Sequence, residues 1–455
     1  MTHNGSYWFD SLAPDDLGLA AEPMPTQVEV AIIGGGYTGL WMAYYLSEYC
    51  PDLKVAILEA EVFGFGASGR NGGWCMGTSH DVEALLSQVS TRATGLRLAR
   101  AMQATVDEIA RVADHEQIDC HFEKGGNLMV ATSPFQVTQL QDELKHLHQV
   151  GFTEADYRWL DAPESRARVG TASNFGAMFT PHCAAIHPAR LARGLAHRLK
   201  ARGVLCLEST KVTGYVSGRV ETNRGELRAD KILRATEGFT PTLKGQKRAV
   251  LPIYSMMVAT EPLPGSVWDE IGLVHRETFG DPRRVVIYGQ RTADDRLAFG
   301  GRGGYYFGSK VKPVIPGDDP GLDSVAQSLR DLFPVLVDYK MTHRWGGPLG
   351  VNRHWRPTVT FDPETGLGSA GGYVGEGVAA SNLAARILVD LVRGEDSEIL
   401  GLPWVDDLAR NWELEPVRFL GARILQYAAE RADASEAELG RPARFWDGLF
   451  HRFVD

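Results

Sequence analysis

Residues 28–59 constrain this chain more than any other stretch, because they read in succession as a strand, a glycine turn, a helix and a second strand. Val28, Val30, Ile32 and Ile33 form a dense β-branched run, the composition of a parallel strand buried on both faces. Gly34, Gly36 and Gly39 then supply G-x-G-x-x-G. The first glycine permits the tight turn, the second lets backbone approach a pyrophosphate, and the third lets helix pack on strand. Tyr37 and Thr38 open a helix predicted over Thr38–Glu48, whose free N–H groups and positive dipole end favour an anion. Val55–Leu58 is the second strand, and Glu59, followed by Ala60, closes it about 20 residues past the last glycine. A carboxylate there accepts both ribose hydroxyls and disfavours a 2′-phosphate. This order of parts predicts a dinucleotide site and does not separate FAD from NAD; a phosphate-free βαβ unit is the alternative.

At 455 residues the chain exceeds one ordinary core, so two domains are expected. A formal net charge of −10 argues against nucleic acid or anionic membrane as a partner. The apolar runs fall short of the ~20 residues of a bilayer span, and Met1–Ala21 lacks a basic segment followed by an apolar one. The expected location is cytoplasmic. Five scattered cysteines without a C-x-x-C pair suit free thiols in a reducing compartment. Met1–Pro25 reads as an irregular arm that Tyr7, Trp8 and Phe9 pin to the surface.

A second glycine stretch follows over Val62–Trp74, with Gly64, Gly66, Gly69, Gly72 and Gly73 spaced by Ala67, Ser68, Arg70 and Asn71. Such a segment forms neither helix nor packed strand cheaply, but it makes a loop of N–H groups for a flat or anionic ligand; a flexible surface loop is the bland reading. Here GGGYTG, LEA and GFGASGRNGGW, in this order, resemble the FAD-dependent D-amino-acid oxidase superfamily, which holds glycine oxidase, sarcosine oxidase and γ-glutamylputrescine oxidase. The resemblance implies FAD as the cofactor, with Ser68–Gly73 under its pyrophosphate and flavin and Gly66 and Ala67 in the same loop.

Apolar spacing over Asp81–Glu116 predicts two helices, Cys120–Thr132 a hairpin turning at Gly125-Gly126, and Gln136–Val150 another helix. Pro188 opens a further helix, and Gly203–Leu207, Lys211–Tyr215 and Arg219–Thr222 are short strands; by the resemblance, the backbone of Val212 faces adenine. Lys231–Gly238 ends in Thr236-Glu-Gly238, similar to the family's second nucleotide signature but interrupted by Glu237. Ser255–Thr260, Arg284–Gly289, Arg296–Arg302 and Tyr305–Phe307 read as antiparallel strands, which in the family roof the flavin. Gly368–Val378 is a glycine turn into a helix that runs to about Val392; the resemblance places Gly372, Gly375, Gly377 and Val378 near flavin N1 and the C2 carbonyl. Pro416–Arg431 is amphipathic and is expected to pack on the body or on a partner subunit.

The fold class is therefore α/β, a Rossmann-type FAD-binding domain with a second α+β substrate domain built on an antiparallel sheet. The divisions fall at 1–80 for the arm and the FAD-binding βαβ, 81–180 for a helical and hairpin insertion that caps it, 181–250 for the continued FAD domain, 251–340 for the substrate domain, 341–400 for completion of the FAD domain, and 401–455 for a helical extension. The expected reaction oxidises the C–N bond of a small amine or amino acid by hydride transfer to flavin N5. Arg302 is the candidate for a substrate carboxylate, under an aromatic wall of Tyr254, Tyr305, Tyr306 and Trp345. Sarcosine-oxidase-like members attach flavin through a cysteine near Trp345–Gly347 and carry a lysine on the strand matching Arg296–Arg302; this chain has neither, so FAD is expected to be noncovalent, and the acceptor is O2 or another electron acceptor. No metal site is expected, because the histidines, including His182 and His187 beside Cys183, show no ligand spacing. An NAD-linked oxidoreductase, an NAD(P)H-linked flavin monooxygenase and a silent FAD-fold binding protein are the other readings, and association between copies of the chain is left open.

Overall fold

The Gln27–Ile33 strand sits at the middle of an eight-stranded sheet, pairing in parallel with Val55–Leu58 on one side and with Gly225–Arg234 on the other. The computed structural model describes residues 5–446 and 448; the first four residues of the arm, and 447 and 449–455 of the C-terminal extension, lie outside the described residues. Val30, Ile32 and Ile57 are fully or almost fully buried, as expected for strands covered on both faces. Leu205–Leu207 extends the sheet beyond Val55–Leu58, and Leu367–Gly371 extends it beyond Gly225–Arg234, both in parallel. The first helix, Tyr37–Tyr49, buries every residue from Tyr37 to Leu46 and packs between helices Pro188–Ala201 and Gly377–Arg393. Enclosure on all sides explains why its apolar residues form no single stripe.

The second sheet also has eight strands, in the order Met341–Val351, Leu251–Thr260, Leu297–Tyr305, Ile287–Arg291, Thr278–Gly280, Asn127–Val130, Ala177–Thr180, Arg158–Leu160. It is antiparallel except where Thr278–Gly280 meets Asn127–Val130. The sheet thus reaches beyond 251–340, taking strands from 127–180 and from 341–351. The hairpin expected at Gly125-Gly126 does not form: one strand, Asn127–Val130, pairs with Ala177–Thr180 and Thr278–Gly280 instead. Those glycines serve close approach, since a Cβ at Gly126, where φ is +85°, would lie 2.6 Å from the Thr180 carbonyl. Arg296–Arg302 and Tyr305–Phe307 are not separate strands either; Leu297–Tyr305 is continuous, and the irregularity is a register shift opposite it between Ile253 and Ser255.

The N-terminal arm departs most from expectation. Tyr7, Trp8 and Phe9 are buried rather than surface pins, packed with Met257, Ala298 and Trp345 of the second sheet and Ala189 of the Pro188–Ala201 helix. The C-terminal helix runs over Val417–Leu439 and lies against the Leu297–Tyr305 strand. Among the described residues no helix is long and apolar enough to cross a membrane.

Candidate functional site

A cleft of about 330 Å³ opens at the carboxyl end of the parallel sheet, where the chain leaves Ile33 and Leu58. Its walls include Gly34, Gly36, Tyr37, Thr38, Glu59, Ala60, Gly66, Ala67, Ser68, Asn71, Val212, Thr236, Gly238, Gly375, Gly377 and Val378. Gly34 takes φ +111°, and a Cβ there would stand 2.5 Å from the Ala235 carbonyl. A Cβ on Gly36 would lie 2.8 Å from the Ser68 hydroxyl, which accepts the Tyr37 N–H at 2.8 Å, so the bare turn and the second loop are fitted to each other. Glu59 accepts N–H groups from Gly35 at 2.7 Å and Glu61 at 3.0 Å, while burial pushes its carboxyl up to about 7.

Gly39, Gly69, Arg70, Gly72, Gly73 and Gly372 do not line the cleft. Gly39 does what the third glycine of the motif does, since a Cβ would overlap the Gly34 carbonyl. Gly69 is pressed against Gly64 and Phe9, Gly72 against the Tyr288 ring, Gly73 against Gln290, and Gly372 against Asn352. Arg70 is 3 % exposed, with its guanidinium 4.3 Å over the Phe65 ring. It donates to the carbonyls of Gly346 and Pro313, forms no ion pair among the described residues, and leaves Nε and Nη2 without partners. Burial lowers its pKa to about 10.

The loop between these positions has its carbonyls claimed in sequence. Asn71 Nδ2 donates to the oxygens of Ala67 (3.1 Å) and Ser68 (3.0 Å), Ser6 Oγ to that of Gly69 (3.0 Å), and Trp345 Nε1 to that of Arg70 (2.9 Å). Trp8 Nε1 donates to the Asn71 oxygen (2.8 Å), Gln290 Nε2 to that of Gly72 (2.7 Å), and the Ile186 N–H to that of Gly73 (2.8 Å). The N–H groups of Gly69, Arg70, Asn71 and Gly73 are bonded inside the loop as well, so the loop is held rigid and gives the cleft a wall of Gly66, Ala67, Ser68 and Asn71. Beside it Arg70 keeps two idle donors, and a buried guanidinium of that kind fits an anionic ligand. The residues present therefore fit a flavin dinucleotide.

Glu237, an interruption in sequence, is a tie in space. Its Oε1 accepts the N–H groups of Gly372 (3.2 Å) and Tyr373 (3.0 Å), joining the Thr236–Gly238 turn to the third glycine motif, Gly368–Val378, and burial pushes its carboxyl up to about 7. Sequence reasoning also missed Lys211, Phe239, Leu349 and Tyr373 on the cleft wall. Only Tyr373 carried a signal, lying inside the third glycine motif; its hydroxyl meets Thr38 Oγ1 at 3.0 Å.

Of the five side chains expected at the substrate, two, Arg302 and Trp345, reach the face of the antiparallel sheet that looks onto the loop. Arg302 pairs across from Ser255, and Gly300, two residues away on the same face, lies against Tyr288, whose ring also covers Gly72. Arg302 Nη2 donates to the Val374 carbonyl at 3.3 Å; burial lowers its pKa and Glu376 partly offsets that. Tyr254, one residue from Ser255, points away and meets Tyr306 edge-on at 4.8 Å in the outer cluster. The Tyr305 hydroxyl donates to Glu415 (2.6 Å), and Trp345 is 1 % exposed, edge-on to Trp8. The expected wall of Tyr254, Tyr305, Tyr306 and Trp345 is thus split: Trp345 stands at the loop with Tyr288 and Trp74, which are 5.9 Å apart, while Tyr305 and Trp355 share a neighbouring cavity wall with Arg302. His182, Cys183 and His187 are engaged apart from one another, with Asp156, Thr278 and Ser11 respectively.

The family model described as FAD dependent oxidoreductase matches residues 29–391. A probable oxidoreductase, OrdL, of Rhizobium meliloti is 30% identical over 409 residues, covering 87% of this chain and 90% of its own. The gamma-glutamylputrescine oxidoreductase of Escherichia coli is 29% identical, with coverage of 81% and 84%. Among solved structures, glycine oxidase from Geobacillus kaustophilus superposes with a TM-score of 0.71 at 20% identity, covering 85% of this chain and 99% of that one.

Proposed function

The chain belongs to the FAD-dependent oxidoreductase family, and from that premise we propose that it oxidises the C–N bond of an amine or amino acid to an imine that water hydrolyses, with O2 as the electron acceptor. The observation that carries the reading is Arg302, an arginine without a carboxylate partner on the sheet face that looks onto the flavin loop. Guanidinium matches carboxylate geometry, and the gamma-glutamylputrescine and glycine enzymes among the relatives act on amines. FAD, when bound, supplies the acceptor for the electron pair leaving the carbon next to nitrogen.

The protein's own part is position and field. The Gly377–Arg393 helix begins at the cleft wall, so its free N–H groups and positive dipole end stabilise an electron-rich ligand. The amine must arrive with its lone pair free. The apolar rings of Tyr288 and Trp74, together with the Arg302 charge, disfavour the ammonium form, and no dedicated base is required. None of the five cysteines lines the cleft, which supports noncovalent FAD. The strand that bears Arg302 has no lysine, so a dehydrogenase passing electrons to another acceptor is the second reading.

The test is the visible spectrum of the purified protein before and after anaerobic addition of amines and amino acids. Bleaching by one of them supports the reaction class, and comparing reoxidation by O2 with that by an artificial acceptor separates oxidase from dehydrogenase. A flavin spectrum untouched by every amine would sink the proposal.

A further inference from the structure

A second cavity, of about 180 Å³, lies between the antiparallel sheet and the C-terminal helix Val417–Leu439. Ile253, Tyr305, Trp355, Trp412 and Leu425 form most of its apolar wall, and Arg302 also lines it. The other cations on the wall are neutralised within the protein. Arg353 meets Glu413 at 3.0 Å, Arg418 meets Glu415 at 2.9 Å, and Arg284 meets Glu436 at 2.7 Å. Arg302 has no ion pair among the described residues, and its one hydrogen bond is to the Val374 carbonyl. Val374 precedes Gly375, which lines the flavin cleft, so Arg302 stands where the two cavities adjoin.

An apolar chamber with a guanidinium on its wall that makes no salt bridge among the described residues, Glu376 being the carboxyl that faces it, selects a ligand with a carboxylate at one end and an apolar body behind it. The volume is below the ~300 Å³ of a pocket that holds a whole drug-sized ligand, so it takes one side chain. We propose that the cavity under the C-terminal helix is the side-chain compartment of the substrate site, and that the substrate is an amino acid with an aromatic or branched apolar side chain. Its carboxylate lies on Arg302, its side chain lies between Trp355 and Trp412, and its amine faces the flavin cleft. This rests on the amine-oxidation reading and adds a substrate class to it. The C-terminal extension, for which the sequence offered no role, thereby becomes the outer wall of the site.

The test uses the FAD-loaded protein. Anaerobic bleaching rates give kcat/KM for glycine, alanine, leucine and phenylalanine in both enantiomers, and for the amines lacking the carboxylate. Burying one large apolar side chain predicts a preference of phenylalanine or leucine over alanine of about tenfold to a hundredfold. Ala422→Phe, which fills the chamber from the helix side, is expected to reduce that ratio below about threefold. As a readout independent of turnover, 3-phenylpropionate is expected to raise the melting temperature more than acetate does in the wild type and no more than acetate in the variant. Bleaching by amino acids with no preference for apolar size, or faster bleaching by amines without a carboxylate, would overturn the compartment and leave amine oxidation standing. A bound flavin that no amine bleaches would overturn both.

Discussion

Replacing Trp8 tests whether the N-terminal arm holds the flavin loop or merely fills space. The indole is 1 % exposed, stands edge-on to Trp345 at 6.3 Å, and donates to the Asn71 carbonyl at 2.8 Å. Trp8→Ala removes a fully buried ring and is expected to cost about 3–5 kcal/mol of stability, enough to blur any local effect. Trp8→Phe is the sharper probe, because it keeps most of the buried surface and deletes the N–H. The Asn71 carbonyl then loses its donor, at a cost of about 1–3 kcal/mol. Ser6 and Trp345 still hold the two preceding carbonyls, so the expected loss is concentrated in the loop rather than in the core. If about 1.4 kcal/mol of that falls on loop order that FAD must restore, the FAD dissociation constant rises about tenfold. Urea unfolding of the apoprotein measures the first quantity, and titration of apoprotein with FAD, followed by quenching of flavin fluorescence, measures the second. An apoprotein weakened by 1–3 kcal/mol that still binds FAD within about twofold of wild type would refute the loop-holding role.

Gly36→Val places a side chain against Ser68 in the cleft, and FAD content after purification is expected to fall below about a tenth of wild type; near-stoichiometric flavin would count against the assignment of this turn. Arg302→Ala should raise KM for carboxylated substrates by about ten- to a hundredfold, the worth of a charged hydrogen-bond pair, and leave uncharged amines nearly unaffected; equal losses for both would remove its role. Glu59 gives a pH signature. Its carboxyl is raised to about 7 in the folded apoprotein, so the stability it contributes is fully present below about 4.5 and is lost, on the order of 3 kcal/mol, as pH rises to 7. Glu237 titrates in the same window, so the difference between wild type and Glu59→Gln in urea midpoint isolates the share of Glu59. Ribose hydroxyls donate to the ionised carboxylate, so FAD affinity should tighten as pH rises through 7 in wild type and not in Glu59→Gln, read by the same fluorescence titration.

The βαβ unit was legible because its signals are local. Gly34 needs φ +111° and Gly39 needs bare backbone contact with its own turn, and no distant strand can change either requirement. The second glycine stretch was legible as a loop rather than a long helix or strand for the same reason. What holds it was not: Ser6 and Trp8, Gln290, and Trp345 come from three distant places in the chain, and no spacing links them.

The substrate wall shows the limit most plainly. The sequence by itself determined that an antiparallel sheet with tyrosines and Arg302 would exist, through composition and turns. Which tyrosine stands against the second glycine loop was decided by register. Side chains alternate across a strand, so Tyr254 beside Ser255 is sent to the outer cluster, while Tyr288, on a strand with no distinguishing motif, is brought onto Gly72. That choice depends on how Leu251–Thr260 pairs with Leu297–Tyr305 and Met341–Val351, contacts between residues tens of positions apart. Local chain chemistry fixed the first glycine turn; only the pairing of distant strands fixed what closes around it and stands above it.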